Sequence, residues 1–389
     1  MLPSRTDFLI VGAGFAGLTL AERLCSAGFH CTLVDRRSHI GGNSHDEYDA
    51  HGVLIHSYGP HYFRTNSPQI LEYLGRFTQW RPHVYKVQSW TDGRYWSFPV
   101  NLKTFEQLVG HRASEEEFAA WLEAERIPID MPRNSEEVIL SQMGRRLYEL
   151  FFRGYTRKQW KLDPSELDAS VCGRIPIRTD RNDAYLKEQF QCLPAEGYHV
   201  LFDNMKAACG ERLSLVLGVD YRDLKDSVPH RHLFFTGAID EFYKYRFGPL
   251  PYRSLRFERE YFSAGQLRER LPVSGKAGFW QPELQVNYPN DFEFTRIVEM
   301  KHATGQVCAG STIVREYPAD WELGQDPYYP VPSRESRALY ERYRALADGE
   351  KDVTFLGRLG TYKYYNMDQV VAQALKVAED TLAAHQPLI

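Results

Sequence analysis

The sequence predicts an α/β protein that combines a Rossmann-type nucleotide-binding domain with a helical insertion domain and an antiparallel sheet domain. Three observations predict this fold class: a glycine-rich strand–turn–helix unit near the N-terminus, a central stretch with helical spacing, and several short strand-like runs on either side of it. A chain of 389 residues is also longer than one compact core accommodates.

The glycine-rich unit is the first element. The apolar run 7–11 ends at Gly12, the chain continues through Gly14 and Gly17 into a helical pattern, and a second apolar strand ends at Asp35. Gly12 permits a tight turn, Gly14 lets the backbone approach a pyrophosphate, and Gly17 lets the helix pack on the strand. The free N–H groups of the helix then face the pyrophosphate, and Asp35 accepts hydrogen bonds from a ribose.

The other two domains follow from periodicity. Residues 115–124 and 135–155 show helical spacing, whereas 84–100, 174–200 and 254–300 contain strand-like runs. Buried strands near 213–240 and a helix near the C-terminus return the chain to the nucleotide-binding domain. The predicted boundaries are 1–80, 205–240 and 350–389 for the nucleotide-binding domain, 102–165 for the helical domain, and 81–101, 166–204 and 241–349 for the sheet domain, which carries the substrate.

Composition limits the partners and the compartment. The net charge of −4 gives no reason to expect nucleic acid or an anionic membrane. The six cysteines are scattered without a close pair, so we expect neither disulfides nor a metal site, and a reducing cytoplasm. The sequence contains no long apolar run and no leader-like N-terminus, and we therefore expect a soluble protein.

The residues after the second strand favour FAD as the cofactor. Asp35 is followed by Ile40, Gly41, Gly42 and Asn43, and this extension resembles the FAD-binding glutathione-reductase-like superfamily. A second glycine-rich unit for NADPH and a redox cysteine pair are both missing from the sequence. What remains is a flavin enzyme that either oxidises its own substrate or uses the flavin without net redox change.

From end to end the chain resembles the bacterial UDP-galactopyranose mutase family. The resemblance is carried by the following stretches, in the order and spacing of the family: 55–61, 154–160, 174–178, 245–248, 252–255, 295–297, 316–318, 327–331, 357–359 and 362–365.

The resemblance implies an isomerase that interconverts UDP-galactopyranose and UDP-galactofuranose through a covalent adduct with reduced FAD. It further implies an external reductant, a homodimer and a role in cell-surface polysaccharide biosynthesis. Two alternatives stay open: the same chemistry on another nucleotide sugar, and an FAD-dependent oxidase. Arginines and tyrosines that face a phosphate argue against the oxidase.

The resemblance also implies the roles of individual residues. Guanidinium groups suit a departing diphosphate because they stay charged and form paired hydrogen bonds. The residues expected to act in catalysis are Arg174, Arg296 and His61. Those expected to bind substrate are Tyr155, Thr156, Trp160, Tyr185, Asn287, Tyr317 and Tyr364. Those expected to bind FAD are Gly12, Gly14, Ala16, Gly17, Asp35, Arg36, Asn43, His61, Tyr62, Arg358, Tyr365, Asn366, Met367, Asp368, Gln369 and Val370.

Three residues depart from the family pattern. Arg64 stands where a histidine is usual, Leu186 replaces an aromatic residue, and Tyr85 occupies a position where some members carry a substrate-facing asparagine. These changes are compatible with mutase chemistry but leave the identity of the sugar open.

Overall fold

The computed structural model describes residues 6–224, 227–269 and 277–385. The ends of the predicted nucleotide-binding domain, 1–5 and 386–389, and residues 225–226 within it lie outside the described residues, as do residues 270–276 of the predicted sheet domain. The strands are β1 Phe8–Val11, β2 Cys31–Asp35, β3 Asp46–Tyr48, β4 Leu54–His56, β5 Phe63–Thr65, β6 Trp80–Pro82, β7 Val87–Thr91, β8 Arg94–Phe98, β9 Phe190–Pro194, β10 Leu213–Leu217, β11 His232–Phe235, β12 Tyr252–Phe262, β13 Gln285–Asn287, β14 Arg296–Val298, β15 Ser311–Asp320, β16 Tyr329–Pro330 and β17 Val353–Phe355.

The α-helices are α1 Phe15–Ser26, α2 Pro68–Gly75, α3 Leu102–Val109, α4 Glu115–Glu125, α5 Ser135–Leu147, α6 Gly154–Trp160, α7 Ser170–Gly173, α8 Tyr198–Cys209, α9 Tyr221–Leu224, α10 Ile239–Phe242, α11 Ala264–Glu269, α12 Lys301–Thr304, α13 Arg334–Ala347, α14 Gly357–Gly360 and α15 Met367–Ala384. A π-helix, Tyr148–Arg153, connects α5 to α6. Over the described ranges, every helix is too short or too polar to cross a membrane.

The nucleotide-binding domain is built on a parallel sheet with the strand order β10-β2-β1-β11-β17. The central strand β1 is an apolar run whose first three residues are buried, as expected for a parallel strand covered on both faces. Helix α1 packs against α8 and α15. The predicted Rossmann-type domain is confirmed. Because α8 packs on α1, residues 198–204, which the sequence analysis placed in the sheet domain, lie with the nucleotide-binding domain.

The second sheet has the strand order β16-β12-β15-β14-β13-β7-β8. Its neighbouring strands are antiparallel except for β13 and β7, which run parallel. The strand-like run 174–200 yields only β9, which joins β5 and β6 in a separate small sheet. The prediction of strands over 174–189 is wrong because the side chains of Asp180 and Asn182 accept hydrogen bonds from backbone N–H groups two residues further on, which favours turns over strands.

The helical domain comprises α3 to α7 with the π-helix. The side chains of Asn101, Ser114 and Asn134 cap the N-termini of α3, α4 and α5. The single helix predicted over 135–155 is broken. Gly144 has a φ of 74°, and a Cβ there would lie 2.2 Å from the carbonyl oxygen of Glu125. The π-helix follows this break and leads into α6, and such helices occur frequently near functional sites.

Candidate active site

A cavity of about 470 Å³ opens where the parallel strands of the nucleotide-binding domain end. Helix α1 begins beside it with Gly14 as the N-terminal cap, and within the described part of the chain no side chain caps that end. Its first backbone N–H groups are therefore available to a phosphate, and the positive end of the helix dipole favours one.

Two glycines of the turn are required by close contacts. A Cβ on Gly12, which has a φ of +100°, would lie 1.9 Å from the hydroxyl oxygen of Thr236. A Cβ on Gly17 would lie 1.9 Å from the carbonyl oxygen of Gly12. Gly17 therefore lets α1 pack directly on the turn and does not itself line the cavity.

Asp35 is held rigidly at the rim of the cavity. Its carboxylate accepts hydrogen bonds from the backbone N–H groups of Ala13 at 2.7 Å and Arg37 at 2.9 Å. The side chain is thereby fixed in a position that suits a ribose diol. The predicted cofactor residues that line this cavity are Gly12, Gly14, Ala16, Asp35, Arg36, Asn43, His61, Arg358, Tyr365, Met367 and Val370.

The cavity lining does not include Tyr62, Asn366, Asp368 or Gln369. Tyr62 is buried, its hydroxyl lies 2.9 Å from His83 Nδ1, and its ring stacks on Tyr85 with centroids 4.6 Å apart. Asn366 and Gln369 form the capping box that starts α15, and Asp368 accepts a hydrogen bond from the backbone of Gln369. These three residues shape the helix end beside the cavity.

Other lining residues were not predicted as cofactor contacts, although Gly41 and Gly42 belong to the stretch that favoured FAD. They come from strand ends that converge here, and from one segment of the sheet domain, where the Asp326 carboxylate accepts hydrogen bonds from Arg36 at 3.1 Å and Arg37 at 2.7 Å. The lining residues that sequence reasoning missed include Arg37, Gly41, Gly42, Asp220, Arg222, Thr236, Gly237, Glu241, Lys244, Asp326, Pro327 and Gly357.

His61 lies in the cavity lining at the side that faces the second sheet. Its backbone N–H donates to His56 Nδ1 at 3.0 Å, and its own Nδ1 lies 3.0 Å from the carbonyl oxygen of Gly59. Burial lowers the pKa of His61 to about 3, so the ring is neutral at physiological pH. A neutral imidazole at this point orients neighbours by hydrogen bonds and adds no charge.

Next to the cofactor cavity, Arg174, Arg296, Tyr155, Tyr329 and Tyr364 surround a second region, called the cleft here. One face of the second sheet carries its polar groups. Asn287 pairs with Arg296 in register, and Arg296 pairs with Glu316, so the three side chains share a face. Arg296 Nε donates to Glu316 Oε2 at 2.6 Å. Asn287 accepts a hydrogen bond from Gln285 at 2.7 Å.

Tyr317 does not reach this face. It follows Glu316 on β15, and adjacent residues of a strand point to opposite sides of the sheet. Its hydroxyl donates to Glu258 at 2.8 Å, and the guanidinium of Arg256 lies 3.9 Å from its ring centroid. The prediction of Tyr317 as a substrate contact is therefore wrong, because its side chain lies on the opposite face of the sheet from Arg296. The preceding residue, Glu316, faces Arg296 and was missed by sequence reasoning.

The Arg296–Glu316 pair is electrostatically unusual. The Glu316 side chain is 1% exposed, and its second oxygen, Oε1, has no hydrogen-bond partner among the residues that the structure describes. Burial raises the pKa of Glu316, although Arg296 acts to lower it. Burial acts to lower the pKa of Arg296, but Glu316 and nearby tyrosines raise it well above its ordinary value, so the guanidinium stays charged.

Arg174 and Arg358 approach a pair of stacked tyrosines. The ring centroids of Tyr329 and Tyr364 are 5.5 Å apart, and the guanidinium carbons of Arg174 and Arg358 lie 4.9 Å and 5.1 Å from the Tyr364 centroid. Burial acts to raise the pKa of Tyr364, but Arg174, Arg358 and Arg296 outweigh it and lower that pKa to about 8. A site that stabilises a tyrosinate in this way also favours a bound anion.

Helix α6 supplies the opposite wall. Tyr155 lies close enough to Arg296 and Tyr185 for its pKa to respond to both. Trp160 is 7% exposed, and its ring centroid lies 6.3 Å from that of Tyr329. Thr156, by contrast, is buried with its hydroxyl 3.7 Å from the sulfur of Cys172, so this hydroxyl is directed away from the cleft.

The three departures from the family pattern have different surroundings. Arg64 donates to Asn366 at 2.9 Å and lies 3.4 Å from Glu188, so it is neutralised by protein groups. Leu186 is buried. Tyr85 is buried between Tyr62 and Tyr185, and its hydroxyl donates to Gln285.

Comparison with known proteins agrees with this geometry. A family model described as UDP-galactopyranose mutase matches residues 150–364, and one described as an NAD(P)-binding Rossmann-like domain matches residues 10–77. A probable UDP-galactopyranose mutase from Klebsiella pneumoniae is 36% identical over 97% of this chain and 95% of its own length. The chain belongs to the UDP-galactopyranose mutase family.

Other similar proteins agree with this family. The dTDP-fucopyranose mutase of Escherichia coli is 33% identical over 95% of this chain and 97% of its own length. A crystal structure of reduced UDP-galactopyranose mutase superposes with a TM-score of 0.75 at 18% identity, covering 98% of this chain and 96% of that one. Putrescine oxidase, at a TM-score of 0.59 and 14% identity over 97% of this chain and 99% of that chain, shares the fold.

Membership of this family confirms the prediction of an isomerase and makes the protein a flavoenzyme. It favours a mutase over an oxidase. The model match includes Arg174, Arg296 and Tyr364, and these residues meet in the cleft next to the cofactor cavity.

Proposed function

We propose that the enzyme interconverts UDP-galactopyranose and UDP-galactofuranose with reduced FAD as its cofactor. The observation that carries the proposal is the convergence of three guanidinium groups, those of Arg174, Arg296 and Arg358, on Tyr329 and Tyr364 beside the cofactor cavity. An anion with two phosphates suits such a site because guanidinium groups bind phosphate oxygens in pairs.

The cavity residues fit FAD. The uncapped start of α1 and the glycine turn suit a pyrophosphate, and the fixed Asp35 carboxylate suits the adenosine ribose. The same lining reaches His61 and Arg358, which stand at the boundary with the cleft and would border the flavin ring. Reduced flavin supplies the nucleophile for the anomeric carbon of the sugar when it is bound.

The residues of the chain then have separate tasks. Arg174 and Arg296 hold the diphosphate as it leaves the anomeric carbon and keep it in place for its return. Tyr364 and Tyr329 offer hydroxyl groups to the same phosphates. Tyr155 offers a ring to the uracil base, and α6 with the sheet face excludes water around the sugar. The buried Glu316 orients Arg296.

The choice of UDP-galactose is supported by the names of the relatives, since the 36% identical protein is named for that substrate. The 33% identical relative acts on dTDP-fucopyranose, so a dTDP-linked deoxy sugar is the proper competitor in any assay. The proposal also includes an external reductant, a homodimer and a cytoplasmic location.

The test is a panel of nucleotide sugars incubated with the purified, FAD-loaded protein in the presence and absence of dithionite. We expect ring-contracted product from UDP-galactopyranose only when the flavin is reduced, with no oxygen consumed. Faster turnover of a dTDP-linked sugar would show that this sugar, and not UDP-galactopyranose, is the substrate. Oxygen consumption with an oxidised product would show that the enzyme is an oxidase. Protein that neither retains nor takes up FAD would remove the proposal altogether.

A further inference from the structure

The partly buried ammonium group of Lys158 connects helix α6 to the sheet face of the cleft. Lys158 Nζ donates to three backbone carbonyl oxygens, those of Tyr288, Phe292 and Phe294, the last two at 2.8 Å and 3.1 Å. An ammonium group has three N–H donors, so these three carbonyls satisfy it. All three belong to residues 288–295, the turn that joins β13 to β14.

The turn is shaped so that its carbonyls converge. The rings of Tyr288, Phe292 and Phe294 pack on one another with centroids 4.8 to 5.4 Å apart. The backbone N–H of Tyr288 donates to the carbonyl of Thr295 at 2.8 Å. The packed aromatic rings thus stabilise a turn whose carbonyl oxygens surround the ammonium group of Lys158.

A second set of contacts ties the same turn to the start of α6. Asn290 donates to the carbonyl of Leu150 at 3.2 Å and to the hydroxyl of Thr91 at 3.0 Å. A Cβ on Gly154 would lie 2.3 Å from the Asn290 side-chain oxygen and 2.6 Å from the carbonyl oxygen of Pro289. The turn therefore contacts α6 at Gly154 and at Lys158, and it contacts the preceding π-helix at Leu150.

The position of this junction in the chain gives it a role. The turn begins directly after Asn287 and ends directly before Arg296, and α6 carries Tyr155 and Trp160. We propose that Lys158 is a positioning residue that fixes the distance between the aromatic wall on α6 and the Arg296 face of the sheet, and so sets the affinity for the nucleoside diphosphate. The inference rests on the proposed function, since it assumes that this ligand spans the two walls.

The charge of Lys158 is available under ordinary conditions. Burial lowers the pKa of Lys158 to about 8, while Asp291 acts to raise it. The group is therefore mainly protonated at neutral pH. Replacing it by an uncharged side chain would leave three carbonyl dipoles pointing at one another without a donor, and the turn would move away from α6.

The experiment measures UDP binding to the FAD-loaded protein with Lys158→Met, and with Arg157→Met as the control on an exposed neighbour of the same helix. We expect the Kd for UDP to rise at least tenfold in Lys158→Met, with KM rising more than kcat falls and with FAD content unchanged. The control should bind UDP within twofold of the wild type.

A second variant, Asn290→Ser, loosens the same turn and is useful if Lys158→Met does not fold. It should raise the Kd for UDP about threefold. UDP binding within twofold of wild type in the folded Lys158→Met protein, or in Asn290→Ser when only that variant folds, would overturn the positioning role. Failure of the wild-type protein to bind UDP would instead overturn the proposed function.

Discussion

Alanine replacements of Arg174 and Arg296 should have different effects on stability, although both should reduce activity. Arg296 neutralises the Glu316 carboxylate, whose side chain is 1% exposed, through a hydrogen bond of 2.6 Å. Arg174 is solvent-exposed and contacts the ring of Tyr364. Arg296→Ala therefore leaves the buried Glu316 carboxylate without its partner. Arg174→Ala only exposes more of the Tyr364 ring, which is already partly exposed to solvent.

The magnitude follows from this difference. Removing one partner of a buried ion pair costs about 3–5 kcal/mol, and about 1 kcal/mol shifts the melting temperature by roughly 2–4 °C in a chain of about 150–250 residues and by less in a longer one. At about 2.1 cal/mol/K of unfolding entropy per residue, a chain of 389 residues shifts by about 1.2 °C per kcal/mol, so we expect Arg296→Ala to melt about 4–6 °C below Arg174→Ala.

The difference should depend on pH. Burial already raises the pKa of Glu316, and loss of Arg296 raises it further. A carboxyl group whose pKa is higher in the folded than in the unfolded state binds its proton more tightly when folded. The stabilisation of the folded state by this proton is present at low pH and is lost as the pH rises. The stability deficit of Arg296→Ala should thus be smaller near pH 5 and larger near pH 8.

Thermal unfolding with excess cofactor at the two pH values tests this reasoning. The double variant Arg296→Met/Glu316→Gln, which removes both charges, should regain most of the lost stability. In kinetics, each alanine variant should lose at least about tenfold in kcat/KM, since a charged hydrogen bond contributes about 1.5–3 kcal/mol. Equal melting temperatures for Arg174→Ala and Arg296→Ala at both pH values would refute the role given to Glu316.

Three further predictions concern single residues. The pKa of Tyr364 is lowered to about 8, so the residue ionises above that pH and its negative charge opposes diphosphate binding. The KM of the wild type should therefore rise from about pH 7 to 9, and it should rise less in Tyr364→Phe. An identical dependence of KM on pH in the two proteins would contradict this. Tyr317→Phe should keep kcat/KM within twofold of the wild type because the Tyr317 hydroxyl donates to Glu258. A tenfold loss would show that this hydroxyl contacts the substrate. The Asp326 carboxylate connects the sheet domain to the cavity rim through Arg36 and Arg37. Asp326→Asn should therefore release FAD at least threefold faster than the control Glu322→Gln in a flavin-fluorescence assay. Equal release rates would show that this contact does not help to retain FAD.

The sequence predicted the glycine turn and the position of Asp35 because these residues are close together in the chain. Gly12, Gly14, Gly17 and Asp35 lie within one strand–helix–strand unit, so their spacing alone determines their arrangement. Asp326 lies far away in the sequence and is brought to the rim only by the folded sheet domain. Its contact with Arg37 has no periodic pattern, and nothing in the sequence around residue 326 indicates it.

The substrate site was predicted less exactly for a geometric reason. Neighbouring residues of a strand face opposite sides, so only one of Glu316 and Tyr317 can face the cleft, and the sequence analysis named Tyr317. The register with β14 decides in favour of Glu316. Tyr329 was likewise part of a matched stretch, but only the structure reveals its stacking on Tyr364 and its contact with Arg358, which belong to the proposed phosphate site.

The strand order of the nucleotide-binding sheet has a consequence for biosynthesis. The neighbours of β1 are β2, near the N-terminus, and β11, and the edge strand β17 comes from residues 353–355. At about 5–20 residues per second, β17 is synthesised roughly 20–70 s after β1. Until then β11 lacks its neighbour β17, and the cavity lacks the wall from residues 357–370. The proposed cofactor, FAD, would therefore bind stably only after synthesis is nearly complete, and the sheet would stay open at this edge until then.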